Sequence, residues 1–447
     1  MALVKTLSGD DFSPELPHRL LNIAGEIREA GGRAYLVGGW VRDALLGKNC
    51  RDYDVEVYDL TQDDLLPILK KYGKTNLVGK AFGVIHLAMR GLSLDFSFPR
   101  TESKVGYGHR GFVVHTDEKL SFREAALRRD FTINAMGMEL PELALCDPYG
   151  GIDDLKKGVL RHVGPAFAED SLRILRGVQF ASRFALSLAP ETVQLCRTLS
   201  LDDLSIERLF EEFKKWLLKP GKPSLGLRAF LDIGLDGYFP EIAPVCGSWE
   251  LLGNTLDRMV DAREGRLDGF LLEALPLTEE QLSELAFAAL LCGNSLACVD
   301  CSALKRTILK FLQRMTNEIH LMRNVPELLS CLGALDFGQV PAAPELRRMA
   351  VKLGGLKLLC LLVQSIPDEL VKSRSFVKDF IKASVELDLV ESAPQAFLTG
   401  KMLLDLGVKP GREMGEIIQR SFELQLDGKI ADAPAAISWA RETLASR

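Results

Sequence analysis

Hydrophobic residues recur with the period of a β-strand only in the first third of this chain, and with the period of a helix almost everywhere after it. That division points to a small mixed sheet-and-helix body followed by a long helical one. Leu16, Leu20, Ile23 and Ile27 predict a helix over residues 15–30, stopped by Gly31-Gly32. Ala34–Val37 is a short apolar run expected to be a buried strand. Gly38-Gly39 makes a turn into a predicted helix Trp40–Leu46, closed by Gly47. Arg51–Tyr58 alternates as a strand does, Thr61–Lys71 reads as a helix, and Gly83–Met89 and Leu92–Phe98 read as two further strands of the same sheet. From about Phe167 onward the helical period dominates, in Glu169–Phe184, Ile206–Leu218, Leu225–Ile233, Thr278–Leu291 and Ser302–Arg323. The expected fold is α+β: an α/β head over residues 1–145, a helical neck over 146–245, and an all-helical body and tail over 246–447.

The 447 residues carry 47% hydrophobic and 26% charged side chains, an ordinary balance for a packed globular chain. A net charge of −6 argues against a protein that coats nucleic acid without selectivity, but leaves room for a local basic groove. Nine cysteines, an odd count in a long chain, read as reduced thiols rather than a disulfide scaffold. Cys298 and Cys301 form a C-x-x-C near Cys292, but no second pair stands at zinc-site spacing. No signal-peptide core and no long uncharged apolar stretch is present, so a cytoplasmic protein without a membrane span is expected.

The chemistry-bearing residues sit in the head. Val37-Gly38-Gly39-Trp40-Val41-Arg42-Asp43 follows a predicted strand and opens a predicted helix. Backbone N–H groups at such a turn can approach a polyphosphate, and Arg42 can reach the same phosphates. A plain tight turn is the alternative. Asp52 and Asp54 lie two apart on a strand, hence on one face. Adjacent carboxylates repel unless a cation neutralises them, so the pair suits Mg²⁺. Asp95, on a neighbouring predicted strand, is a candidate extra ligand or orienter. The alternative for the pair is a solvated edge-strand face. Farther on, Asp170, Arg173 and Arg176 are three apart, which on a helix places them along one face. An Asp can accept from the exocyclic amine of cytosine or adenine while an Arg donates to the same edge. An exposed ion pair between them is the competing reading.

Tyr35 to Val57 (YLVGGWVRDALLGKNCRDYDVEV) resembles the signature of the class II tRNA nucleotidyltransferase and bacterial poly(A) polymerase family. Further blocks resemble that family in order: Arg128–Ala135 (RRDFTINA), Asp147-Pro148 with Gly150–Leu155, Glu169–Arg176 (EDSLRILR), Glu207-Arg208, and Phe239-Pro240-Glu241. The resemblance covers about residues 33–242. It implies that Gly38, Gly39 and Arg42 cradle an incoming triphosphate and that Asp52 and Asp54 hold Mg²⁺. It implies that Arg129 contacts the nucleotide, that Asp130 and Asn134 lie near the sugar, and that Asp170, Arg173 and Arg176 face base and phosphates. CTP, ATP and tRNA are the implied partners, and template-independent addition of CMP and AMP to a tRNA 3′ end is the implied activity. A specialist adding only A or only CC, or a poly(A) polymerase, are the alternatives. An RNA-binding module with a dead head is a further one, against which the intact acidic pair speaks.

The segment Arg100–Glu124, with Gly106, Gly108 and Gly111, resembles the family's flexible loop that helps switch from C to A addition. Some relatives carry a phosphohydrolase domain with a His-Asp metal pair. Here the most similar stretch, Ala288-Ala289-Leu290-Leu291-Cys292-Gly293, has Cys and Gly in those two places, so the metal pair is missing. Gln179 stands where many relatives have Arg, and His320 reads as an ordinary surface or core histidine.

Overall fold

The computed structural model describes residues 16–48, 50–78, 83–104, 112–219, 221–267, 276–297, 301–373 and 375–445. The chain divides into two compact units, Met1–Trp216 with Leu225–Leu235, and Leu217–Ser224 with Asp236–Arg447.

The first unit begins α1 (His18–Glu29), β1 (Arg33–Val37), α2 (Gly39–Leu45), β2 (Tyr53–Tyr58) and α3 (Gln62–Lys70). The strands β3 (Lys74–Val78), β4 (Val84–Met89), β5 (Leu92–Ser97), β6 (Arg100–Lys104) and β7 (Phe112–Thr116) follow, then α4 (Phe122–Leu127), β8 (Gly137–Leu140) and β9 (Ala144–Cys146). Among the described residues β1–β5, β8 and β9 form one seven-stranded sheet in the order β3-β4-β5-β2-β1-β8-β9. Within it β2 and β5 run parallel, with Asp54 opposite Asp95, while β4 and β5 run antiparallel, with His86 opposite Asp95.

Alternation then assigns the two faces. Val55, Val57, Ile85, Leu87, Leu94 and Phe96 are buried, and α1 packs on β1 and α3 while α3 packs on β3. The intervening residues, among them Asp54, His86, Ser93 and Asp95, point to the other face. There α4 covers only the β1 side: Phe122 stacks on Tyr35 with ring centroids 4.9 Å apart, beside Tyr58, Ala125 and Ala135. On the β2 and β5 side Asp54 is exposed and Asp95 partly so.

The strands read from alternation are all present. The pieces missed are β3, β8 and β9, the last only three residues long, too short to display a repeat. Arg100–Glu124, expected as a loop, contains the antiparallel pair β6–β7 and most of the first turn of α4; Gly106, Gly108 and Gly111 lie outside the described residues.

The rest of the first unit is helical but for a short parallel pair, Val159–Leu160 with Ser187–Leu188: α5 (Gly151–Lys157), α6 (Leu172–Phe184) and α7 (Pro190–Cys196), with α8 (Ile206–Leu218) and α9 (Pro223–Ile233) mostly in it. The helix expected from Glu169 starts later. Pro165–Glu169 is a 3₁₀ turn and Asp170 is extended, with φ −126° and ψ 102°. Gln179 is 2% exposed, so that position of α6 faces the interior.

The second unit contains α10 (Trp249–Arg263), α11 (Glu279–Ala297), α12 (Cys301–Met315), α13 (Ile319–Gly333), α14 (Ala343–Leu353), α15 (Lys357–Ser365), α16 (Phe376–Glu386), α17 (Gly400–Asp405), α18 (Arg412–Leu426) and α19 (Ala433–Ala445). The single helix expected over Ser302–Arg323 is two, α12 and α13, broken at Thr316–Glu318. Leu285 through Cys292 is wholly buried in α11. A β-carbon on Gly293 would stand 2.2 Å from the Ala243 carbonyl oxygen, so glycine is required for the chain to pass there. The Ala288–Gly293 stretch thus builds core, and burial pushes the Cys292 thiol up to about 12. Glu241, 4% exposed, accepts from Arg314 Nη1 at 3.1 Å, and Arg314 Nη2 donates to the Tyr238 carbonyl at 2.9 Å, which makes the Phe239–Glu241 block a packing anchor. His320 lies between Glu284 and Glu318 at 3.0 and 2.7 Å. Cys298 falls outside the described residues. No helix among the described residues is long and apolar enough to cross a membrane.

Candidate active site

The turn between β1 and α2 places Gly38 at φ 70°, a left-handed conformation that glycine adopts without steric cost. A β-carbon there would lie 3.9 Å from Asp54 Oδ2, so the turn and the carboxylate face one another. Gly39 is the first residue of α2. Asp52 immediately precedes β2 and Asp54 is its second residue, both exposed. Neither forms an ion pair among the described residues. The Asp54 carboxyl is pushed up to about 6, first by the protein packed around it, then by the charges of Asp52 and Asp95, with Arg129 opposing. Three like charges therefore crowd one end of the sheet beside a glycine turn. Among the described residues no three His, Cys, Asp or Glu side chains stand together as a set that could hold a metal ion. An open pair of carboxylates is nonetheless the oxygen-only donor set that Mg²⁺ takes when other ligands come from phosphate and water.

Beneath this row, Glu56 continues the strand's alternation inward. It is 1% exposed and accepts from Arg128 Nη2 and Arg129 Nη2, both at 3.0 Å, and from the Tyr58 hydroxyl at 2.6 Å. Burial works to raise the Glu56 carboxyl, but the charges of Arg129 and Arg128 outweigh it and hold it below the usual carboxylate range. Arg129 also donates to the Asn134 and Met136 carbonyls, each at 3.3 Å. Its two Nη atoms are engaged by the protein while its charge still reaches Asp54.

A second cluster joins α2 to α6. Arg42 is 4% exposed; its Nε donates to Asp43 at 2.8 Å, Nη1 donates to the Asn134 side-chain oxygen, and its guanidinium lies 4.1 Å from the Phe184 ring centre. Asn134 Nδ2 donates to Asp130 Oδ1 at 2.9 Å, and Asp130 Oδ2 accepts from Arg176 Nε at 2.7 Å. Burial alone would raise Asp130, but the Arg176 charge and the Asn134 and Phe131 hydrogen bonds hold it below its ordinary value. Such a group adds stability above its ordinary pKa of about 3.9. That stability fades as pH falls from there through the lower folded value. Asp130→Asn is expected to flatten this acid limb of urea-unfolding stability, with most of its loss already present at pH 7.

Asp170, Arg173 and Arg176 do not share a helical face as their spacing implies. Asp170 stands ahead of α6, where its Oδ1 accepts from the Leu172 N–H at 3.1 Å, and it pairs with Arg208 Nη2 at 2.8 Å. Arg173 donates to the Ala166 carbonyl at 2.7 Å and to the Arg128 carbonyl. The ion pair that Asp170 forms is thus with Arg208, from a helix distant in sequence. Sequence reading missed Glu56 and His86; for Glu56 the signal was there, a third acidic residue in the Asp52-Asp54 alternation with two arginines needing a partner.

Residues 34–161 match the poly(A) polymerase head domain. The chain is 41% identical over 223 residues to the multifunctional CCA protein of Xanthomonas campestris pv. campestris, covering 48% of this chain and 52% of that protein. It is 42% identical over 215 residues to the multifunctional CCA protein of Chromobacterium violaceum, covering 47% and 50%. The chain thus spans about half the length of the relatives it matches. In fold it resembles a Bacillus stearothermophilus CCA-adding enzyme in complex with CTP, with a TM-score of 0.66, 22% identity, and 96% and 98% of the two chains covered. It also resembles the Thermotoga maritima CCA-adding enzyme complexed with tRNA, at 0.60, 20%, and 98% and 97%.

Proposed function

We propose that this chain is a class II tRNA nucleotidyltransferase that adds CMP and AMP stepwise to the 3′ end of tRNA, using CTP and ATP and releasing pyrophosphate. The observation that carries the reading is the Asp52, Asp54 and Asp95 row beside the Gly38 turn, in which neither Asp52 nor Asp54 forms an ion pair among the described residues. Gly38 and Gly39 are assigned to the triphosphate, which their backbone N–H groups can meet closely. Asp52 and Asp54 are assigned to Mg²⁺, with Asp95 beside them. Bound Mg²⁺ would lower the pKa of the attacking hydroxyl and offset charge on the departing pyrophosphate. The terminal ribose oxygen of the tRNA bonds to the α-phosphorus as the bond to the β-phosphate breaks.

Arg129 is assigned to the nucleotide, and Asp130 and Asn134 to the sugar side of the pocket. Arg42, held between Asp43 and Asn134 beside the glycine turn, is assigned with Gly38 and Gly39 to the triphosphate. Asp170, Arg173 and Arg176 are assigned to base and phosphates. With Asp170 steadied by Arg208, its carboxylate is set to accept from the amine of cytosine or adenine, a donor uracil and guanine lack at that position. Asp170→Ala is expected to relax rejection of UTP against CTP by about 1–3 kcal/mol, roughly five- to 150-fold. Competition between labelled CTP and UTP measures it. Unchanged discrimination would remove Asp170 from base reading.

The test of the activity is a time course of labelled CTP and ATP incorporation into tRNA lacking its last three nucleotides. Two C additions followed by one A, then a stop, are expected. Addition of C alone or A alone identifies a specialist, and long A tails on unrelated RNA identify a poly(A) polymerase. A cytoplasmic location accords with that substrate.

A further inference from the structure

The face of the sheet that carries Asp54 holds a titratable group that no step above employs. His86 on β4 lies opposite Asp95 on β5, and its Nδ1 stands 2.6 Å from Asp95 Oδ1. Its Nε2 stands 3.3 Å from the hydroxyl of Ser93, which shares the face with Asp95 two residues away. If the hydroxyl donates to Nε2, the neutral ring carries its proton on Nδ1, aimed at the carboxylate. His86 and Asp95 are both partly open, their side chains 33% and 43% exposed, so packing alone does not fix either one. Asp95 is in turn the register partner of Asp54. Ser93, His86, Asp95 and Asp54 therefore form one row across three strands. Among the described residues Asp95 has no other hydrogen-bond partner, which leaves Oδ2 uncommitted.

We propose that His86 is a positioning residue: through Nδ1 it pins Asp95 in the acidic row, so that the negative charge of Asp95 stays beside the cation held by Asp52 and Asp54. The proposal rests on the nucleotidyl-transfer reading of the site. Groups that orient carboxylates at metal sites carry about 10–100-fold in metal affinity or activity. The experiment follows Mn²⁺ binding to the full chain by electron paramagnetic resonance, with CTP present and tRNA absent.

His86→Leu is expected to weaken Mn²⁺ binding at least tenfold. His86→Asn, whose amide can occupy the place of Nδ1, should restore binding, while His86→Gln, whose amide sits farther out, should not. Asp95→Asn should reproduce the loss, and adding His86→Leu to it should cost nothing more, because His86 acts through Asp95. Parental affinity in His86→Leu, equal behaviour of the Asn and Gln variants, losses that multiply in the double variant, or a parent that binds no Mn²⁺ would each overturn the proposal. The binding readout is independent of acceptor. A parent that binds Mn²⁺ as described yet extends no tRNA defeats the functional reading and leaves the His86 assignment standing.

Discussion

Asp54→Ala is expected to lower CMP and AMP incorporation by at least about a thousandfold, the upper end of what losing one preorganised electrostatic group costs, while tRNA affinity stays within about twofold. The asymmetry follows from where Asp54 sits. Its side chain is open, it makes no ion pair among the described residues, and nothing in the core depends on it. Its carboxyl is already pushed up to about 6 by its surroundings and by Asp52 and Asp95, so the folded protein is destabilised by the charge it keeps there. Removing it should leave the head as stable as before or slightly more so. Radiolabelled incorporation and a filter-binding isotherm on the same preparation separate the two effects. Weakened tRNA binding with retained incorporation would overturn the assignment of this site.

Glu56→Ala should have the opposite signature: a large loss of stability with chemistry lost only as a consequence. The side chain is 1% exposed and is the shared acceptor for two guanidinium groups and the Tyr58 hydroxyl. Without it, Arg128 and Arg129 face each other across a site largely sealed from water, with side chains 22% and 12% exposed. Removing one partner from a buried ion pair costs about 3–5 kcal/mol, and here one carboxylate serves two cations. Urea unfolding of the full chain, followed by intrinsic fluorescence, should show the stability of the first unit lowered by about that amount. Glu56→Gln keeps an acceptor but not the charge, and should fall between. A shift under about 1 kcal/mol for Glu56→Ala, the scale of an exposed pair, would show that the cluster is solvated.

Much of this architecture is legible in the sequence because its cause is local. The period-2 run through Val55 and Val57 marks β2, and the same alternation puts Asp54 on the opposite side from them. The glycines after Val37 mark the turn. What escapes is set by partners distant in sequence. Nothing near Arg42 indicates that its guanidinium ends on Asn134, and nothing near Asp170 indicates Arg208. Asp170 and Arg173 read as helical neighbours because spacing assumes a helix that in fact starts at Leu172. His86 is one histidine on an unremarkable strand; only the pairing of β4 with β5 reveals what it touches.

The parallel pairing of β2 with β5 has a further consequence. Shifting one strand past the other by a single residue would carry Asp54 or Asp95 into the oily layer and expose Val55 or Phe96 to water. The filled interior thus acts as a ratchet with no halfway notch for the acidic side chains on the far side. Mutations that drift through this region can trade one greasy residue for another, but they cannot gradually slide the reactive groups apart.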